Sequence, residues 1–289
     1  MTEERDLAGR TFLVTGGNTG IGLAAARNFA RRGGRVYLAC RSRAKGEAAV
    51  AALAAGTSPG QVVCLPLDLA DLDSVRRCAQ DLLARDEPLH VLVNNAGVAG
   101  RPGLTRDGFE LTFGVNHVGH FALTTALLDR LAASAPARVV TVSSDSHYQA
   151  PGIDFDAVRR RTAHLTGMPE YAVSKLANVL FSQELAGRTA GRGITTYALH
   201  PGQVASDIWR RVPWPVRPLM TRRMLTTEQG ASTLVYCATS PEVAQATGRF
   251  YIDSREADPS RVATPELARV LWERSEAWTT ASGARSPSD

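Results

Sequence analysis

Lysine is nearly missing from this chain. Of its 33 basic residues only Lys45 and Lys175 are lysines; the others are arginines. A compact ammonium and a planar guanidinium do different chemistry, so each lysine position is informative. Cysteine is also scarce. Cys40, Cys64, Cys78 and Cys237 form no CxxC pair and sit in apolar or helical contexts, which argues against a metal or redox role and leaves reduced residues in the core or near the surface as the expectation. No apolar run approaches the roughly 20 residues that span a bilayer. The opening MTEERDLAGR lacks the apolar stretch of a signal peptide. A soluble cytoplasmic protein without membrane contact is therefore expected. The formal net charge is +5, but no long basic run or aromatic–basic interleaving accompanies it, so nucleic acid is not an expected partner. No His/Cys/Asp cluster suggests a metal.

What is present is a regular alternation. The chain has 289 residues, 44% of them hydrophobic, enough to bury a sizeable core. RTFLVTG, RVYLACR, QVVCLPLDL, LHVLVNNAG, ARVVTVSS, GITTYALHPG and GRFYID read as strands. Between them lie helical patterns: IGLAAARNFARRG, RAKGEAAVAALAAG, LDSVRRCAQDLLARD, a long stretch from about Thr112 to Leu131, EYAVSKLANVLFSQELAGR and TEQGASTLVYCAT. This spacing predicts a single doubly wound α/β Rossmann domain, residues 1–278, with a mostly parallel seven-stranded sheet and helices on both faces. Residues 279–289 read as a flexible tail.

The segment TGGNTGIG follows the first strand and opens the first helix. There, close backbone approach and free helix N–H groups can hold a pyrophosphate. Its spacing is TGxxxGxG rather than GxGxxG. Gly16, Asn18, Thr19, Gly20, Ile21 and Gly22 are the candidate contacts.

Three further segments stand at element ends: NNAG at the fourth strand, VSS at the fifth and HPG at the sixth. YAVSK opens a helix. In this order the motifs resemble the short-chain dehydrogenase/reductase family over almost the whole chain. VYLACRS, DGFELTFGVNHVGHFALT, IDFD and LWERSEAW are similar to its retinol dehydrogenase-like branch. The resemblance implies a catalytic set of Asn116, Ser144, Tyr171 and Lys175. Tyr171 and Lys175 are four apart and share a helix face. Tyrosine, with an ordinary pKa of about 10, needs a neighbouring ammonium to ease proton transfer. Side chains alternate along a strand, so only one of Ser143 and Ser144 faces the site; the resemblance selects Ser144. It also implies that Asn116 supports a water-mediated proton relay through the lysine. His117 and His120 read as packing or polar-anchoring residues.

Cofactor choice turns on the end of the second strand. An NAD site offers a carboxylate to the ribose there. This chain has Cys40 and then Arg41, with Lys45 one turn on, a pattern suited to a 2′-phosphate. NADP(H) is the expected cofactor. The resemblance places Asp68 and the backbone of Leu69 at the adenine. It places Asn95, Ala96 and Gly97 at the adenosine ribose, and Pro201, Gly202, Val204 and Ser206 at the nicotinamide. It also implies pairing through helices, as a homodimer or homotetramer.

The segment 203–230 is too long for a plain crossover. It carries Ile208, Trp209, Val212, Trp214, Val216, Leu219, Met220 and Met224, and reads as a mobile lid over a bulky hydrophobic substrate, or else as a short helix covering exposed sheet or part of a subunit contact. The expected activity is hydride transfer between NADP(H) and a carbonyl or alcohol, most simply a ketoreductase acting on a bulky aromatic, secondary-metabolite-like ketone. A retinal-type or general aldehyde reductase is the alternative within that chemistry. A non-catalytic NADP-sensing regulator is the alternative outside it, and a proton-handling residue set argues against that. A nucleotide-sugar epimerase fits the glycine spacing less well.

Overall fold

In the computed structural model, which describes residues 5–55, 57–204 and 225–281, the alternating pattern becomes one sheet. Its strands are β1 (Thr11–Thr15), β2 (Arg35–Cys40), β3 (Val62–Pro66), β4 (Val91–Asn94), β5 (Ala137–Val142), β6 (Ile194–His200), β7 (Arg249–Ile252) and β8 (Arg255–Ala257). The order across the sheet is β3-β2-β1-β4-β5-β6-β7-β8. The first seven strands run parallel and β8 is antiparallel to β7. The sheet thus has eight strands, not the expected seven. The extra one follows a tight reversal at Asp253 and Ser254, both at positive φ, and its short charged sequence REA carries no apolar alternation.

The helices are α1 (Gly20–Arg31), α2 (Arg43–Ala54), α3 (Leu72–Leu83), α4 (111–133), α5 (Met168–Arg188), α6 (Thr227–Thr239) and α7 (Pro265–Ala281). Two hydrophobic layers explain the arrangement. Phe12, Val14, Val36, Leu38, Val91 and Val93 face α1, α2 and α6. Their strand neighbours Leu13, Tyr37, Ala39 and Leu92 face the other way, with α3, α4 and α5 residues. Both faces being covered, strand side chains are buried on both sides, and the strands read as continuous apolar runs. Burying each such Leu, Val or Phe contributes about 1.5–3 kcal/mol. Helix starts are set locally. Asp71 caps α3 by accepting from Asp73 N and Ser74 N, and Thr226 with Gln229 forms a capping box at α6.

Two features bear on the site. The chain turns to β2 on one side of β1 and to β4 on the other, so the carboxyl ends of β1 and β4 border a crevice where ligands bind in such sheets. Moreover, α4 is not one regular helix. Leu111–Phe113 and Gly119–Ala133 are α-helical, but Gly114–Val118 winds as a π-helix, and Asn116 lies in that turn. The last helix runs on through Ala281, three residues into the segment read as tail. No helix among the described residues is long and apolar enough to cross a membrane.

Candidate active site

The glycine turn fits a bound dinucleotide. Gly16 and Gly20 have φ of +64° and +56°, which other residues adopt at a cost. A Cβ on Gly22 would lie 2.6 Å from the Gly16 carbonyl oxygen and 2.5 Å from Asn95 Nδ2. Only glycine lets α1 approach this closely. The helix start, with Asn18, Thr19 and Ile21 around it, has no acidic residue in its first turn, as an anion site requires. Asn95 closes the turn from β4 by donating to the Thr15 carbonyl at 2.8 Å. Ala96 lies against Gly16.

Arg41 and Lys45 are exposed beyond β2. Neither has a carboxylate partner among the described residues, whereas their neighbour Arg43 is paired with Glu47 at 2.7 Å. Asp68 Oδ1 accepts from Ala70 N at 3.0 Å, fixing that carboxylate beyond β3. Leu69 is buried, and its carbonyl packs where a Cβ on Gly119 would come within 2.6 Å. Pro201 and Gly202 follow β6. Val204 pairs with Leu225 in an isolated bridge, so the chain leaves and re-enters at neighbouring points. Ser206 and the apolar residues of the expected lid, Ile208 to Met224, lie outside the described residues. The end of the 203–230 segment is the beginning of α6.

Tyr171, Lys175 and Asn178 follow one another at i, i+4 and i+7 on α5 and face the end of β5. Lys175 Nζ donates to the Val142 carbonyl at 2.9 Å and Asn178 Nδ2 to the same oxygen at 3.0 Å. Burial pulls the Lys175 ammonium down to about 8. Burial also pushes the Tyr171 phenol up to about 12; a hydrogen bond with Ser144 lowers it and the Asp145 carboxylate raises it further. The expected depression of Tyr171 by the lysine is absent: what lowers the phenol is Ser144, and burial outweighs it. Lys175 Nζ sits 5.5 Å from the tyrosine ring centre, held to the strand carbonyl. Tyr171 is partly exposed and Ser144 nearly buried. The two serines diverge as strand alternation requires: Ser143 Oγ donates to the Lys175 carbonyl at 2.7 Å, and Ser144 Oγ to Asp145 Oδ1 at 2.9 Å.

Asn116 closes the site from α4. Its side chain accepts from Val98 N at 2.8 Å and donates to the Val98 carbonyl at 3.0 Å and to Ser174 Oγ at 2.9 Å. A Cβ on Gly97 would lie 3.3 Å from Asn116 Oδ1 and 3.8 Å from Lys175 Nζ, so the three positions converge. His117 is packed against Phe113, Phe121 and Phe181 and bonds Ser275 at 2.8 Å, an anchor in the core.

Sequence reading missed several supports. Asp145 stands beside Ser144 and Tyr171. Its backbone N–H donates to His200 Nδ1 at 3.1 Å. His147 grips the same turn, with Nδ1 2.6 Å from the Ser144 carbonyl and Nε2 accepting from Ser260 N at 3.0 Å. Asn178 could have been found from its heptad-like spacing to Tyr171, and His200 stands in the HPG motif, but His147 carries no local signal.

Comparisons with known proteins bear on the family and the fold. The model of the family described as short chain dehydrogenase matches residues 10–155. Retinol dehydrogenase 12 of Homo sapiens is 43% identical over 273 residues, covering 92% of this chain and 85% of that protein. Retinol dehydrogenase 14 of Mus musculus is 42% identical over 286 residues, covering 93% and 85%. An uncharacterized protein of Mycobacterium Paratuberculosis has a crystal structure that superposes with a TM-score of 0.76 at 35% identity, over 97% of this chain and 98% of that one. A short chain dehydrogenase of Burkholderia cenocepacia J2315, solved in complex with NADP, gives 0.68 at 27% identity, over 84% and 96%.

Proposed function

This chain belongs to the short chain dehydrogenase family, in its retinol dehydrogenase-like branch, and from that premise we propose that it is an NADP(H)-dependent reductase of bulky apolar carbonyl compounds. The observation that carries the reading is the convergence of Ser144, Tyr171 and Lys175 at the end of β5, beside the glycine turn at the end of β1. Bound NADP(H) would supply or accept a hydride at its nicotinamide. The Gly16–Gly22 turn and the Asn95–Gly97 loop would hold it, with Arg41 and Lys45 facing the 2′-phosphate.

The protein's own residues handle the proton. With its phenol near 12, Tyr171 is protonated at neutral pH and can donate to the oxygen of a carbonyl as that oxygen gains charge. The Ser144 hydroxyl, hydrogen-bonded to Tyr171, would hold the same oxygen by turning its one proton to it from Asp145 Oδ1. Lys175, near 8, retains much of its charge at neutral pH and can lose it at modest cost. A guanidinium could not do so. Asn116 fixes the Val98 backbone through two hydrogen bonds, holding in place the loop whose Gly97 lies next to Lys175.

Preference for a bulky substrate rests on Trp209, Trp214 and their apolar neighbours between β6 and α6 in sequence. An aromatic ketone is the first candidate. The resemblance to retinol dehydrogenases 12 and 14 favours a retinal-type aldehyde as the second. The test is NADPH oxidation followed with aromatic ketones, short aldehydes and retinal, with Tyr171→Phe as control. Turnover of a bulky carbonyl that vanishes in the variant supports the proposal. NADPH binding without turnover of any carbonyl would instead favour a sensor.

A further inference from the structure

His120 is fully buried on α4, one turn beyond Asn116. Its two ring nitrogens face different parts of the site. Nδ1 lies 2.9 Å from the Asn116 carbonyl oxygen, and Nε2 lies 2.8 Å from Thr15 Oγ1. Burial holds the imidazole neutral, pulling it down to about 4. A neutral ring has one N–H. A carbonyl can only accept, so the proton is on Nδ1 and Nε2 accepts from the Thr15 hydroxyl.

That assignment completes the accounting at Thr15. Its hydroxyl has one proton and two lone pairs. The proton goes to His120, at 2.8 Å, rather than to the Val93 carbonyl at 3.2 Å. The lone pairs accept from Asn95 N at 2.9 Å and Ala96 N at 3.0 Å. These are the backbone groups of the loop that closes the glycine turn. A continuous string therefore runs from the π-helical turn at Asn116, through His120 and Thr15, to Asn95 and Ala96. The partners are distant in sequence: 105 residues separate Thr15 from His120, and 80 separate Thr15 from Asn95.

We propose that His120 is a positioning residue that couples the dinucleotide-binding loop to the Asn116 turn, each ring nitrogen serving one side. This rests on the reading that the glycine turn binds NADP(H). The mechanism predicts separable defects. In His120→Asn the amide can keep the donor near the Nδ1 position but is too short for Thr15. In His120→Gln the amide oxygen reaches Thr15, but the donor to Asn116 is lost. His120→Asn should raise the NADPH Kd about fivefold, the scale of one neutral hydrogen bond, with kcat within about twofold. His120→Gln should leave Kd within about twofold and lower kcat about fivefold.

The experiment measures NADPH Kd by fluorescence titration, kcat by NADPH oxidation and Tm by thermal melting, on wild type, both His120 variants, Thr15→Val and Thr15→Ser. Thr15→Val should raise Kd at least as much as His120→Asn, because it also removes the acceptor for Asn95 N and Ala96 N; Thr15→Ser, which keeps the hydroxyl, should bind as wild type, and adding His120→Asn to Thr15→Val should cost little more, because the His120–Thr15 contact is already gone. A Kd unchanged in His120→Asn overturns the proposal, whatever Thr15→Val does. So do Kd and kcat that decline together in both His120 variants in step with Tm, since that is a purely structural residue. If one His120 variant does not fold, the other decides alone: a loss in Kd without one in kcat for His120→Asn, or in kcat without one in Kd for His120→Gln, supports the coupling, and the absence of that split overturns it. Wild-type protein that binds neither NADPH nor NADH overturns the cofactor reading itself, whereas tight wild-type binding with an indifferent His120→Asn overturns only the role of His120.

Discussion

The two lysines sit at opposite ends of the same crevice and could hardly be treated more differently. Lys175 is buried, donates to the Val142 carbonyl at 2.9 Å and is pulled down to about 8 by its surroundings. Lys45 is exposed beside exposed Arg41, and neither meets a carboxylate among the described residues. The first end is committed before any ligand arrives: Ser143, Asn116, Ser174 and Asn178 all spend their polar atoms holding backbone in place. The second end keeps its charges free. A group that must meet developing charge in a transition state gains from being fixed in advance. A group that only recognises a phosphate gains from staying hydrated and mobile until the phosphate is there. The comparison predicts large losses from small changes at the buried end and selective, modest ones at the exposed end.

The largest expected effect is at Tyr171. Tyr171→Phe keeps the ring and removes the proton, so kcat should fall by about 10²–10⁴-fold while NADPH titrates as in wild type. Retention of more than about a tenth of the activity would falsify its role as acid. Lys175→Arg should come next. It keeps the charge but cannot fit the Val142 carbonyl and Asn178 in the space of an ammonium, and a guanidinium stays protonated. A loss of about 10²-fold in kcat is expected, on the same scale of acid–base catalysis. A variant near wild-type would mean that only the charge matters there.

Arg41→Asp probes the exposed end. It removes a partner and sets a like charge against the 2′-phosphate. NADPH affinity should fall about tenfold or more, the equivalent of about 1.4 kcal/mol, and NADH affinity much less. Calorimetric titration with both cofactors checks it. Equal losses would show that Arg41 serves the fold of the β2–α2 connection rather than the choice of cofactor.

What the sequence made legible follows the range of the interactions. Tyr171 and Lys175 are one helical turn apart, so their shared face can be read directly. Gly16, Gly20 and Gly22 are marked by residue type, because another residue would be strained at the first two backbone angles and would clash at the third position. Ser144 needed strand alternation and the family resemblance together. The string from Asn116 through His120 to Thr15 was out of reach, since its contacts depend on β1 and α4 being brought together. Nothing in GVNHVGHF announces a π-helical turn either; a wider helical register has no distinctive residue. The eighth strand escaped for the opposite reason: Arg255, Glu256 and Ala257 form an edge whose side chains need not alternate.

The smallest expected effect is also the most direct test of how sealed the buried end is. Asp145 lies at its rim, its side chain about half exposed, with Oδ1 accepting from Ser144 and Oδ2 3.8 Å from His200 Nε2. Its carboxylate pushes Tyr171 upward, though less than burial does. Asp145→Asn leaves an amide oxygen for Ser144 and removes the charge. The Tyr171 pKa should therefore fall. Reduction needs the protonated phenol, so its alkaline limb should move to lower pH. Oxidation needs the deprotonated form, so its acid limb should move the same way and alcohol oxidation at neutral pH should rise. The measurement is kcat against pH in both directions. Solvent screens a half-exposed carboxylate, so the displacement should be small beside the losses at Tyr171 and Lys175. Superimposable profiles would show that water already shields the phenol from Asp145, and that the committed interior of the site begins behind Ser144 rather than at its rim.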